Sequence, residues 1–246
     1  MKKFAIISVG CNCQKFVKEW YTSISRQTER SFKCYIAVDP SIDGTASMVK
    51  NYIKRDSRFR LVAAHTGENR GALYNRYICT KRVKNPNTII AHVDLDDSLY
   101  TNTALHVVDR VYQKQDCWLT YGSYTSNMHG NWNRKIPQEV WDNNSFRDHE
   151  WCTSALRTFK RWLWDKIDKN DFILPDGKWI KRGTDLAFMF PMLEMAGPKR
   201  VKFIKKILYY YNVYGQFKNK KLVKHERKSV KYTRHKQSYE RIEKDE

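Results

Sequence analysis

The 246-residue sequence has no apolar run approaching membrane-spanning length, no repeated CxxC spacing, no internal repeat and no low-complexity linker. The first absence argues against a transmembrane helix. The opening Met-Lys-Lys-Phe-Ala-Ile-Ile-Ser-Val-Gly has only a short apolar stretch before Asn12 and Gln14, so it reads as a first β-strand rather than a signal peptide. The second argues against a structural zinc site, because Cys11 and Cys13 have no matching Cys or His pair. The six cysteines are scattered, and free thiols point to a reducing compartment, so a cytoplasmic protein is expected. Without repeats or linkers, the simplest organisation is one domain (1–212) and a C-terminal extension (213–246). Acidic residues are also scarce: 26 Asp and Glu stand against 46 Lys and Arg, a formal net charge of +20. Such an excess concentrates polyanions, whether nucleotide phosphates, nucleic acid or an anionic membrane face.

What is present is a globular composition, 41% hydrophobic and 14% aromatic, enough for a packed core. Residues 4–9 form a continuous apolar run, the pattern of a strand covered on both faces. Phe16, Val17, Trp20, Tyr21 and Ile24 then recur at helical spacing. Residues 34–38 predict a second buried strand, and Met48, Val49, Tyr52 and Ile53 a second helix. A strand over 61–64, a helix over 72–78 and a strand over 88–93 follow. This βαβαβαβ order predicts an α/β fold, a mostly parallel nucleotide-binding sheet whose ligands collect at the carboxyl ends of the strands. Beyond it the pattern predicts a helix over 102–113 and a strand over 117–121. A polar stretch over 123–151 leads to helices over 155–168 and 184–195. Two short β-like runs, 201–204 and 207–211, precede a basic tail.

The sharpest chemical feature is His92-Val93-Asp94-Leu95-Asp96-Asp97, at the end of the fourth strand. Three carboxylates within four residues raise one another's pKa unless a cation sits among them. Hard oxygen ligands at this spacing suit Mg²⁺ or Mn²⁺ shared with substrate phosphates; the alternative is a solvated acidic loop capping the next helix. Asp39 ends the second strand, where a carboxylate can accept from a base N–H or a ribose hydroxyl. Asp43, before Gly44-Thr45, reads as a helix cap. Asn69-Arg70-Gly71 with Asn75 and Arg76 opens the third helix: the glycine permits close backbone approach and the arginines can meet phosphate.

Taken together, these segments resemble the family 2 glycosyltransferases of the GT-A fold. The likeness rests on the first strand leading into Cys11-Asn12, on Ser23-Ile24-Ser25-Arg26-Gln27-Thr28, and on Val38-Asp39-Pro40-Ser41-Ile42-Asp43-Gly44-Thr45. Asn69-Arg70-Gly71 with Asn75, and Asp94-Leu95-Asp96-Asp97, complete it over about residues 3–125. Pro40 replaces the second Asp and Gly usual after Asp39. The later segments Ser154–Lys160, Gly183-Thr184-Asp185 and Pro191–Gly197 look like a subgroup of small bacterial and viral members. The resemblance implies an inverting transfer from a nucleotide-sugar donor, a UDP-sugar being favoured, to a glycan or glycolipid acceptor. It implies donor contacts from Val9, Asn12, Asp39, Asn69, Arg70, Gly71 and Asn75, and from Asp94, Leu95, Asp96 and Arg157. Asp97, alone or with Asp96, would hold Mn²⁺ or Mg²⁺. Asp185 matches the catalytic base, with Thr184 where the family often has an acidic residue; His149 and Glu150 are fallback bases.

Trp132, Trp141 and Trp151 could form an acceptor platform, whereas Tyr209, Tyr210 and Tyr211 read as packing. The tail from Lys218 onward has eleven Lys and Arg against five Asp and Glu. With Lys199–Lys206, it could hold an anionic membrane peripherally, dock a partner or simply keep the chain soluble. A nucleic-acid binder would explain the charge but not an acidic cluster at a strand end, so no nucleic acid is expected. A sugar nucleotidyltransferase would want a basic, Gly-rich loop after the first strand, and Gly10-Cys11-Asn12-Cys13 is a poor version of one. A catalytically dead, lectin-like domain is the remaining alternative.

Overall fold

The structure, a computed structural model, describes residues 2–213 and 220–243, with side chains of the last helix from Arg227 onward. Its first half alternates as the apolar runs predict: β1 (Phe4–Gly10), α1 (Val17–Ser25), β2 (Phe32–Val38), α2 (Thr45–Ile53), β3 (Phe59–Ala64), α3 (Ala72–Thr80) and β4 (Ile89–His92). β5 (Ser98–Leu99), α4 (Ala104–Lys114), β6 (Leu119–Ser126), β7 (Gly130–Trp132) and α5 (Gln138–Asp142) follow. The chain continues through β8 (Ser154–Lys160), α6 (Arg161–Asp165), α7 (Thr184–Arg200), β9 (Val201–Tyr211) and α8 (Lys220–Arg234).

All described strands join one sheet in the order β3-β2-β1-β4-β8-β6-β9-β5, with β7 paired to β6. β1 runs parallel to β2 and β4, and β2 to β3. β1 is apolar throughout because both its faces are covered. Phe4 and Ile6 enter the core with Trp20, Ile24 and Leu105, while Ala5, Ile7 and Val9 enter the other with Leu73, Phe159 and Phe188. The buried Trp20 indole N–H donates to Ser8 Oγ at 2.9 Å, so the indole enters the first core with its polar atom satisfied.

The second half departs from the predicted pattern at β8. A helix over 155–168 was the expectation; residues 154–160 are instead a strand, antiparallel to both β4 and β6, and the helical turn is confined to α6. Within that segment burial alternates from Ser154 to Thr158, the signature of a strand. The β-branched Thr158 bonds Thr120 across the ladder at 2.6 Å. The open slot between β4 and β6 decides the outcome over local propensity. The runs 201–204 and 207–211 are likewise one strand, parallel to β6, bulged where Lys205 and Lys206 face solvent. The helix expected over 184–195 continues to Arg200 with a break at Gly197 (φ 63°), a left-handed conformation that glycine adopts without strain. No helix among the described residues is long and apolar enough to cross a membrane.

Part of the basic tail, 214–219 and 244–246, lies outside the described residues. The rest packs on the second half. Arg147 and Glu194, both buried, form a two-pronged ion pair, Nε–Oε1 2.6 Å and Nη2–Oε2 2.8 Å. The tail completes it: Arg147 Nη1 donates to Thr233 O at 2.6 Å, and the Tyr239 N–H donates to Glu194 Oε2 at 2.9 Å. A second latch joins Lys236 and Tyr239 to Asp171, at 2.6 and 2.7 Å. Removing one member of a buried pair strands the other charge, which typically costs about 3–5 kcal/mol. Glu194→Ala is therefore expected to lose about that much stability in urea unfolding. Glu150→Ala, which removes the exposed partner of Arg134, should stay within about 0.5 kcal/mol of the parent.

Candidate active site

The parallel strands end together, and their carboxyl ends carry the predicted site. After β4 the chain keeps running beside β1: Val93 N–H donates to Ile7 O and Leu95 N–H to Val9 O, both at 3.0 Å. This fixes Val9 and Leu95 as buried neighbours whose side chains belong to the core. It also fixes where Asp94 and Asp96, on either side of Leu95, can sit. Ligand atoms of Asp94, Asp96 and Asp97 lie within 4.8 Å of one another. Burial, then the adjacent Asp94, pushes the Asp96 carboxyl up to about 6. Asp97 rises well above the ordinary carboxylate range, chiefly by burial and then by the two neighbouring carboxylates. Three crowded carboxylates held this way have the character of a hard-cation site.

Each acid has a distinct restraint. Asp97 accepts from the Tyr209 hydroxyl at 2.7 Å and the Asn212 N–H at 2.8 Å, while Asn212 Nδ2 donates to Asp96 O at 2.6 Å. Tyr209, expected as packing, is thus a member of the site, delivered by β9 from the far end of the chain. Asp94 is bound by Arg76 Nη2 through both oxygens, at 2.8 and 2.6 Å. Arg76 Nη1 also donates to Thr184 Oγ1 at 2.9 Å, at the start of α7. Burial pulls the Arg76 pKa down, but Asp94 and Asp185 more than offset it, so the guanidinium stays charged. Beneath it His92 packs edge-on against Phe159, Trp164 and Phe188. Neither of its ring nitrogens has a partner among the described residues, and burial, with Arg76 and Arg157 nearby, holds it neutral.

The triad opens onto a cavity of about 720 Å³ that also exposes Arg157, Asp185, Trp132, Trp151, Tyr124 and Tyr211. This lies within the size range of ligand pockets. Asp185 stands in the first turn of α7. Its Oδ2 accepts from Arg157 Nη2 at 2.9 Å, and Arg157 lies over the Trp151 ring at 5.7 Å. The arginine expected to be open to donor or acceptor is therefore already engaged with the expected base. His149 and Glu150 do not line this cavity: His149 Nδ1 is bonded to Glu150 O, and Glu150 pairs with Arg134. Trp132 and Trp151 line it, whereas Trp141 is buried against Phe146 outside it.

The remaining predicted donor residues form a second group at the ends of β1 and β2. Asp39 accepts the N–H groups of Arg70 and Gly71, both at 2.9 Å, so its carboxylate pins the loop before α3. Gly71 makes that approach at φ 87°, with Lys181 close over it. Lys181 Nζ donates to Asn69 O at 2.7 Å, linking this loop to the cavity wall. Asn12 Oδ1 accepts from Ile42 N–H at 2.8 Å, and Asn69 Nδ2 lies 3.7 Å from Cys11 Sγ. Asn75 Oδ1 meets His65 Nε2 at 2.8 Å. Asp43, expected as the cap of α2, stands one residue before the N-cap Gly44; it accepts from the Thr45 N–H at 3.0 Å and the Gln14 N–H at 3.1 Å, tying the helix start to the loop after β1.

A βαβ nucleotide-binding half ending in an acidic cluster is the architecture matched by the model described as Glycosyl transferase family 2, over residues 5–171. The chain belongs to this family. No curated protein matches it by sequence. Among solved structures, S. aureus TarS 1-349 in complex with UDP-GlcNAc superposes with a TM-score of 0.64 at 18% identity, over 89% of this chain and 60% of that one. The longer S. aureus TarS structure gives 0.61 at 20% identity, over 87% of this chain and 37% of that chain. The mannosyltransferase PcManGT from Pyrobaculum calidifontis, in complex with GDP-Man and Mn²⁺, gives 0.59 at 15% identity, over 87% and 58%. This chain thus spans less than two thirds of the length of these structures, and the likeness is one of fold. The family match ends before Asp185, Tyr209 and the tail, which only the fold brings to the cavity.

The raised Asp96 pKa has a thermodynamic consequence. Metal-free folded protein keeps a proton on Asp96 up to about pH 6, whereas the unfolded chain releases it near the ordinary aspartate value of 3.8. Stability is therefore lost as pH rises through that window. Relative to Asp96→Asn, metal-free parent protein is expected to lose melting temperature between pH 4 and 7, as read by scanning calorimetry in EDTA.

Proposed function

We propose that the chain transfers a sugar from a nucleotide-diphosphate donor, a UDP-sugar being favoured, to an acceptor hydroxyl with inversion at the anomeric carbon. The observation that carries this reading is a cavity in which the triad Asp94-Asp96-Asp97 and the carboxylate of Asp185 face the same space, with Arg76 bonding Asp94 and Thr184, the residue before Asp185. TarS binds UDP and UDP-GlcNAc in its solved complexes, which supports the same donor class here. The loop pinned by Asp39, with Asn12, Asn69, Arg70, Gly71 and Asn75, would form the nucleoside side.

Asp96 and Asp97 would hold Mn²⁺ or Mg²⁺, a fit supported by their crowding and raised pKa values. PcManGT carries Mn²⁺ beside its donor in its own complex. Such an ion supplies Lewis-acid neutralisation of the departing diphosphate. Asp185 acts as general base. Arg157 occupies its Oδ2, so Oδ1 is the atom that takes the acceptor's proton. The acceptor oxygen forms the new bond to the anomeric carbon as the carbon–oxygen bond to diphosphate breaks, and the diphosphate leaves with the electron pair. Trp132 and Trp151 line the cavity where a sugar's apolar face would contact aromatic surface, with Arg134 over the one ring and Arg157 over the other. The exposed Lys205 and Lys206 on β9 support a working place against an anionic, cytoplasmic membrane face.

Asp185→Asn is expected to lower kcat by roughly 10²–10⁴, since it removes the proton acceptor along with the charge that pairs with Arg157, while donor-induced thermal stabilisation persists because the triad keeps its Arg76 and Tyr209 partners. Asp97→Ala should abolish the metal-dependent part of that stabilisation. A panel of UDP- and GDP-sugars with Mn²⁺, Mg²⁺ or EDTA provides the readout. No metal-dependent shift with any nucleotide would sink the reading.

A further inference from the structure

The charges around the cavity do not all find partners. Arg76 is bound to Asp94 and Arg157 to Asp185, Lys181 reaches Glu68 at 3.8 Å, and Asp96 and Asp97 face the expected cation. Two guanidinium groups are left. Arg182 and Arg234 both line the cavity, and neither pairs with a carboxylate among the described residues. Taking a charge out of bulk water into a cavity wall without a counter-ion is unfavourable, so a pair of such cations in one ligand space points to an anion that completes it.

The tail brings Arg234 to the cavity that Arg182 lines. Gly183, next to Arg182, sits in a left-handed conformation (φ 62°) directly against Val230 of α8, where a β-carbon would lie 2.8 Å from the valine Cγ2. Arg234 follows Val230 by four residues, on the same face of the helix. Its Nη1 is held by the carbonyl oxygens of Arg147 and His149, the latter at 2.9 Å, and its guanidinium lies over Phe190 at 5.4 Å. Nε and Nη2 make no hydrogen bond among the described residues. The group is thus fixed in place before any ligand arrives, which lowers the entropy cost of binding one. The buried Arg147–Glu194 pair, sealed by Thr233 and Tyr239, holds α8 there.

Contacts set Arg234 apart from the triad. From the triad, they run through Arg76 to the start of α7 and Asp185, then through Arg157 to Trp151, Phe190 and Arg234. Along this path Asp185 comes before Arg234. We propose that Arg182 and Arg234 form an anion subsite on the acceptor side, walled by the C-terminal helix, so that the natural acceptor carries a phosphate or carboxylate group close to the hydroxyl that is glycosylated. This rests on the donor and base assignments above.

The test uses the full chain with UDP and Mg²⁺, titrated calorimetrically with glucose 6-phosphate and with glucose. The loaded protein is expected to bind the phosphate at least about tenfold more tightly than the neutral sugar, as one charge-assisted contact provides. Arg182→Gln and Arg234→Gln should each remove about that factor and leave UDP affinity within twofold of the parent. Arg182→Gln decides the matter if Arg234→Gln disturbs α8, because the Arg182 side chain makes no hydrogen bond or ion pair among the described residues. Equal binding of the two sugars, or a loss of UDP affinity in Arg182→Gln, would overturn the subsite, the second outcome assigning the arginine to the donor. Failure of the parent to bind UDP with metal at all would instead sink the donor reading, and this inference with it.

Discussion

The site depends on one guanidinium. Arg76, buried on α3, binds Asp94 at the end of the parallel strands and Thr184 at the start of α7. It therefore ties the acidic end of the sheet to the helix that carries Asp185. A buried cation is tolerable only with charged partners close by, and Arg76 has Asp94 in contact and Asp185 near enough to hold it ionised. The neutral state of His92 beneath it follows from the same field: a second positive charge there would be repelled from two directions. Tyr209 and Asn212 complete the arrangement from the opposite side by holding Asp97. Asp94 and Asp97 each accept from separate donors, whereas Asn212 holds Asp96 through its backbone carbonyl and leaves the carboxyl to the burial that raises its pKa.

Much of the first half was legible in the chain because its strands are buried on both faces. Phe4–Val9 and Cys34–Val38 read as apolar runs whichever neighbour covers them, and the intervening helices carry 3.6-residue spacing. β8 was not legible. Ser154–Lys160 is short and mixed in polarity, and its identity as a strand comes from two partners distant in sequence, β4 and β6. The same holds for β9, whose bulge disguised one strand as two.

The site divides along the same line. Asp94, Asp96 and Asp97 announce themselves as adjacent acids after a strand, and Asp185 was reachable only through family likeness. Tyr209, Asn212 and the roles of Arg157 and Arg76 could not be read from spacing, since each depends on which elements the sheet places side by side. The basic tail was read by composition as a charged extension. What composition hides is that Thr233, Arg234 and Tyr239 spend backbone and side-chain groups on Arg147 and Glu194.

The strand order carries a consequence for how such a protein can change. β8 lies between β4 and β6, and β9 pairs with β6 and with β5. The residues that follow the parallel first half are therefore woven into its sheet rather than appended to it. A recombination that exchanged the second half as a cassette would leave β5 without its partner and β4 with β1 alone. New acceptor preferences are accessible instead through point changes at the cavity wall, and most freely along α8, which lines the cavity without joining the sheet.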